Sequence, residues 1–90
     1  MKVYVVSLTE DGKWHCFDLS GDLPMHHLVG KGWYEQEASR LIRSLVNSPS
    51  RPWHTARDRH LCGFAIHAKN KYQAIKLAKR AHDSRLLPSY

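Results

Sequence analysis

Asp11-Gly12 separates two runs of strand-forming residues, and this arrangement constrains the fold more than any other feature of the chain. The runs, KVYVVSL at 2–8 and KWHCFDL at 13–19, are rich in β-branched and aromatic residues. An Asp-Gly pair favours a tight hairpin turn because that turn needs positive φ angles. The sequence therefore predicts an antiparallel hairpin over 2–19. Both alternations of each run are apolar, which indicates that the hairpin is covered on more than one side.

A change in hydrophobic period marks the first helix. Residues 20–33 hold three glycines and a proline, which predicts a loop with one short turn. After Tyr34, apolar side chains recur at helical spacing, at Ala38, Leu41, Ile42, Leu45 and Val46. Glu35 and Glu37 suit the positive end of the helix dipole, and the prolines of NSPSRP end the helix.

Two further elements complete the predicted domain. HLCGFAIHA at 60–68 alternates and predicts a third strand. Asn70 is a good N-cap for a helix over 71–86, whose apolar positions are Tyr72, Ala74, Ile75, Ala78 and Ala81. The order β-β-α-β-α predicts one α+β domain over 1–90, with two helices packed on an antiparallel hairpin and a third strand. The tail is expected to fray from about residue 87.

The two helical stripes and the third strand define the expected core. Its members are Leu41, Ile42, Leu45, Ile66, Ile75 and Ala78. Cys16 and Cys62 lie within predicted strands and lack the paired C-x-x-C spacing of zinc sites, so free, buried thiols are expected. A further short strand around residues 53–56 has no pattern to support it.

Membrane and secreted classes are not favoured. No apolar run approaches the roughly 20 residues that cross a bilayer. A basic segment followed by an apolar stretch, as in a secretory signal, is not found. We therefore expect a cytoplasmic protein without membrane association.

The charge of the chain is concentrated in its C-terminal part. Residues 1–50 carry five Lys and Arg against six Asp and Glu, whereas residues 51–90 carry nine against two. The two parts have net charges of −1 and +7. Such a field steers a protein toward acidic partners.

SRPWHTARDRH, residues 50–60, combines arginines with a tryptophan, the residue types enriched at interface hot spots. With the basic residues of the second helix, it provides the predicted partner-binding set: Arg51, Trp53, His54, Arg57, Arg59, Lys76, Lys79 and Arg80. In a structural alternative, Trp53 anchors the stretch to the core and the arginines solvate it. Aromatic rings at Trp33, Tyr34, Trp53 and Tyr90 lie in predicted loops or at element ends, where rings are often accessible.

Seven histidines invite catalytic or metal-binding hypotheses. The fold could bring His15 near His67, and a histidine pair can cleave RNA. The favoured interpretation is that these two are partly buried sheet residues with hydrogen-bond partners, and that His54 and His60 lie on the surface. His60 and Cys62 share a strand face, but two ligands do not make a metal site. Neither a nucleophile motif nor a Gly-rich phosphate loop is present, so no cofactor, metal or catalytic activity is expected.

The sequence favours a small, basic, non-catalytic protein that docks on an acidic surface of a host nucleic-acid-processing protein. Compact basic domains of this length are common among phage and mobile-element accessory proteins, including anti-CRISPR proteins and nuclease inhibitors, which is a likeness of size and composition. Direct binding of DNA or RNA is the first alternative. A histidine-dependent ribonuclease toxin is the second.

Overall fold

Six elements form the fold in the residues that the computed structural model describes, which are 2–18, 27–47, 53–55, 57 and 60–83. They are β1 (Lys2–Leu8), β2 (Trp14–Asp18), α1 (Glu35–Asn47), β3 (Trp53–His54), β4 (Cys62–Ala68) and α2 (Lys71–Asp83). The α+β class is confirmed. The structure adds β3, a two-residue strand for which the sequence held no pattern.

The strands form one antiparallel sheet in the order β2-β1-β4-β3. The predicted hairpin is confirmed, with Val5 opposite Phe17. Its turn is held by the Thr9 N–H, which donates to the Lys13 carbonyl at 3.0 Å. Gly12 has a φ of 79°, the conformation that the Asp-Gly signal predicted.

The two helices pack on opposite faces of this sheet. Successive side chains of a strand point to opposite faces, so β1 contributes to two clusters. On one face Val6 packs with Phe64 and with Ala74 and Ala78 of α2. On the other face the cluster is Val5, Leu28, Trp33, Ala38, Leu41, Leu45 and Leu61, which includes α1. This arrangement explains why both alternations of β1 are apolar.

Most of the expected core is buried. Leu41, Ile42, Leu45 and Ala78 are buried, whereas Ile66 and Ile75 are half-buried. Cys62 is a buried free thiol and Cys16 is a half-buried one, packed in the α2-side cluster.

Two residues assigned to apolar helix faces are instead exposed. Val46 is 52% exposed and Tyr72 is 87% exposed. At about 100° per residue, Val46 lies roughly 100° from the centre of the buried arc of α1, and Tyr72 lies roughly 150° from that of α2. Both positions therefore point away from the sheet.

Side-chain hydrogen bonds cap the N-terminal ends of both helices. Asn70 caps α2 as predicted, since its Oδ1 accepts the Gln73 N–H at 2.9 Å. The Gln73 side chain in turn accepts the Lys69 N–H at 2.7 Å. At α1, Glu37 Oε1 accepts the Tyr34 N–H at 3.2 Å. Within the described ranges, no helix has the length and apolar character needed to cross a membrane.

Candidate functional site

The stretch at 50–60 forms part of a second hairpin. Trp53 and His54 pair with Gly63 and Cys62 of β4. The next residue, Thr55, donates its N–H to the Leu61 carbonyl at 3.0 Å. Arg51 and Arg59, two of the predicted binding residues, lie outside the described residues.

The Trp53 side chain contacts the core. It is half-buried and stacks on Trp33, with 5.7 Å between ring centroids and 27° between ring planes. Trp33 is only 1% exposed, and its Nε1 donates to the Leu8 carbonyl at 3.0 Å. The expectation that Trp33 is accessible is therefore wrong, because its ring is needed to fill the α1-side core. The stack supports the alternative in which Trp53 anchors the stretch.

Arg57 binds the N-terminal end of α1. Its guanidinium lies 2.8 Å from Glu37 Oε1, donates to the Gly32 carbonyl and lies 4.4 Å from the Tyr34 ring centroid. The Glu37 carboxylate thus accepts hydrogen bonds from both the Arg57 guanidinium and the Tyr34 N–H. The charge of Arg57 is compensated within the protein.

The other residues of this stretch have mixed positions. His54 is only 4% exposed, so its predicted surface position is wrong. Its place opposite Cys62 in the sheet turns it inward, and its Nδ1 lies 3.3 Å from the Thr55 carbonyl. His60 is exposed, as expected.

The structure does not bring His15 and His67 together. They flank β1 on opposite sides, opposite Ser7 and Val3. Strand spacings of about 4.8 Å and a rise of about 3.4 Å per residue separate the two backbone positions by roughly 16 Å. His67 is exposed rather than partly buried. Two imidazoles so placed cannot act together on one phosphate.

His15 belongs to a local network at the first hairpin. Its Nε2 lies 3.3 Å from the Thr9 hydroxyl, which also contacts the Asp11 carboxylate. Burial and the nearby Lys31 lower the pKa of His15. The Thr9 hydroxyl and the Lys13 N–H lower the pKa of Asp11. Across the described ranges, the structure holds no group of three or more side chains able to ligate a metal.

Three basic residues of the predicted binding set lie on α2, on the opposite side of the sheet from α1. Lys76, Lys79 and Arg80 are all exposed. With Tyr72 and Ile75 they form what we term the α2 basic face. Tyr72, Ile75, Lys76 and Lys79 line an open cavity of about 330 Å³ on this face. The described members of the predicted binding set are therefore divided between two surfaces.

Sequence reasoning missed Tyr72 and Ile75 as members of this surface. The apolar series of α2 begins at Tyr72, which is why the sequence predicts it in the apolar stripe. Its angle around the helix groups it with Lys76 and Lys79 instead, and this is the signal that identifies it as a surface residue.

Comparison of the chain with known protein families, with curated proteins and with solved structures finds no match. Its function is therefore inferred from the geometry and charge of its own surface.

Proposed function

We propose that this is a small, non-catalytic binding protein that docks on an acidic partner through the α2 basic face. The observation that carries the proposal is the exposure of Lys76, Lys79 and Arg80 on one side of a single helix. α2 contains one acid, Asp83, whose carboxylate lies 3.7 Å from His82 Nδ1. The face is therefore positive, and it contributes part of the net charge of +6 that the whole chain carries.

The internal contacts of the 50–60 stretch support α2 as the centre of binding. Arg57 already binds Glu37, and Trp53 stacks on Trp33. The charge of Arg57 is already offset by Glu37, and part of the Trp53 ring is covered by Trp33, so both side chains have less to contribute to affinity. We therefore assign these two residues a structural role and α2 the contact role.

The partner must be acidic, and two classes meet that requirement. One is the acidic surface of a nucleic-acid-processing protein, the partner favoured by the sequence, which an accessory inhibitor would occupy. The other is nucleic acid itself. The ribonuclease alternative is not proposed, since His15 and His67, the pair on which it depended, lie far apart in the sheet.

Two double charge reversals test the proposal, and the chain offers a matched control. Lys76 and Lys79 are the sixth and ninth residues of α2, and Arg40 and Arg43 are the sixth and ninth residues of α1. All four are exposed. Lys76→Glu/Lys79→Glu and Arg40→Glu/Arg43→Glu each lower the net charge from +6 to +2.

The measurement is the salt concentration at which each variant elutes from immobilised heparin, a polyanion. We expect the α2 variant to elute at clearly lower salt than the α1 variant, because only the α2 variant loses contacts. Equal elution of the two variants would show attraction by net charge alone and would overturn the proposal.

A further inference from the structure

We infer that the α2 basic face binds single-stranded nucleic acid, with a base stacked on Tyr72 and phosphates bound by Lys76 and Lys79. This inference rests on the proposed function and names the class of its partner. The side chain at its centre is Tyr72, whose ring lies outside the core.

Tyr72 is the most exposed of the large hydrophobic side chains in the described part of the chain, at 87%. Its ring contributes nothing to the core, and it lies beside an open cavity whose other walls are Ile75 and the two lysines. The lysine side chains are apolar along their stems and charged at their tips. The site therefore combines an apolar wall with ammonium groups, as a base joined to a phosphate requires.

The spacing along α2 suits one short length of strand. Tyr72 and Lys76 are one helical turn apart, and Lys79 lies about 10 Å from Tyr72 along the axis. Arg80, beside Lys76 on the helix surface, extends the positive charge. Asp83 lies one turn beyond Lys79, so the positive surface is bounded at that end of the helix.

The residue types favour nucleic acid over an acidic protein. Lysine is depleted in protein–protein interfaces, whereas it binds phosphate as a compact point charge. Cations that follow the backbone, combined with an aromatic ring for the bases, are the usual components of single-strand binding sites. An exposed ring can stack on a base of a single strand, but in a duplex the bases already stack on one another.

The inference is tested by fluorescence anisotropy with a labelled deoxythymidine strand of about twelve nucleotides. We expect Tyr72→Ala to weaken binding about tenfold and Tyr72→Phe to retain it, because phenylalanine keeps the stacking surface. The logarithm of the binding constant falls linearly with the logarithm of the salt concentration, and Lys76→Ala and Lys79→Ala should each reduce the steepness of that line by roughly 0.7. Tyr34→Ala is the matched control, since Tyr34 is also an exposed tyrosine but lies at α1.

Tyr72 is so exposed that its truncation should leave the melting temperature unchanged, so a loss of affinity would report the contact itself. An unchanged affinity of Tyr72→Ala for the strand would overturn the inference. Equal weakening of binding to the strand and to polyglutamate would also overturn it and would indicate an acidic protein. Neither result touches the proposed function, which fails only if the two double charge reversals elute alike from heparin.

Discussion

Leu41 of α1 occupies the space that a side chain at Gly63 of β4 would need. A Cβ atom at position 63 would overlap Leu41 Cδ1, and it would lie only 3.1 Å from Cδ2. Leu41 is fully buried and cannot turn toward solvent. Gly63 therefore allows α1 to pack closely against the sheet.

We expect Gly63→Ala to lower the free energy of unfolding by about 1 to 3 kcal/mol, because an added methyl group overpacks a close contact. Chemical denaturation measures this change. The double variant Gly63→Ala/Leu41→Ala is compared with Leu41→Ala alone. Alanine at position 41 leaves room for the added methyl group, so Gly63→Ala should cost little stability in that background. A Gly63→Ala protein as stable as the wild type would contradict the close packing.

Arg57 and Glu37 should couple energetically. Because the Arg57 side chain is partly exposed, solvent screens the ion pair, and we expect a coupling free energy of about 0.5 to 1 kcal/mol. A double-mutant cycle of Arg57→Ala and Glu37→Gln, followed by urea denaturation, measures it. Affinity for heparin should change less in Arg57→Ala than in Lys76→Ala. The opposite order would show that Arg57 contacts the partner.

Trp53 should act on stability rather than on binding. Trp53→Ala removes the ring stacked on Trp33, and we expect the free energy of unfolding to fall by about 2 kcal/mol, less than for a fully buried tryptophan. Trp53→Phe, which keeps an aromatic ring, should recover most of that loss. Thermal melting and heparin elution are measured on the same samples. Lower affinity with an unchanged melting temperature would instead make Trp53 part of the interface.

Acid should destabilise the protein through His15. Burial and the positive charge of Lys31 lower the pKa of His15 in the native state, so the unfolded chain binds more protons below the ordinary histidine pKa of about 6.5. The free energy of unfolding should therefore rise with pH in this range. The contribution of the uncharged His15 is present above about pH 6.5 and is lost as the pH falls below that value. Denaturation at several pH values between about 5 and 7 measures the slope.

His15→Gln should flatten this dependence, because glutamine does not titrate. His60→Gln is the control, since His60 is exposed on the β3–β4 hairpin. A slope that is unchanged in His15→Gln would show that another group causes the acid sensitivity.

The sequence by itself determined five of the six elements and most of the core. Asp11-Gly12 fixed the first turn, Asn70 fixed the start of α2, and Leu41 and Leu45 marked the buried side of α1. These features depend on local backbone preferences and on the period of apolar residues, both of which can be read along the chain.

Tertiary structure alone decided which basic and aromatic residues are available to a partner. Arg57 and Lys76 look alike in the sequence, yet Arg57 binds a carboxylate 20 residues away and Lys76 lies on an exposed helix face. Trp33 is buried for the same reason, because its ring packs with residues of β1 and α1. Exposure depends on contacts between distant segments, and no local pattern encodes which helix covers which face of the sheet.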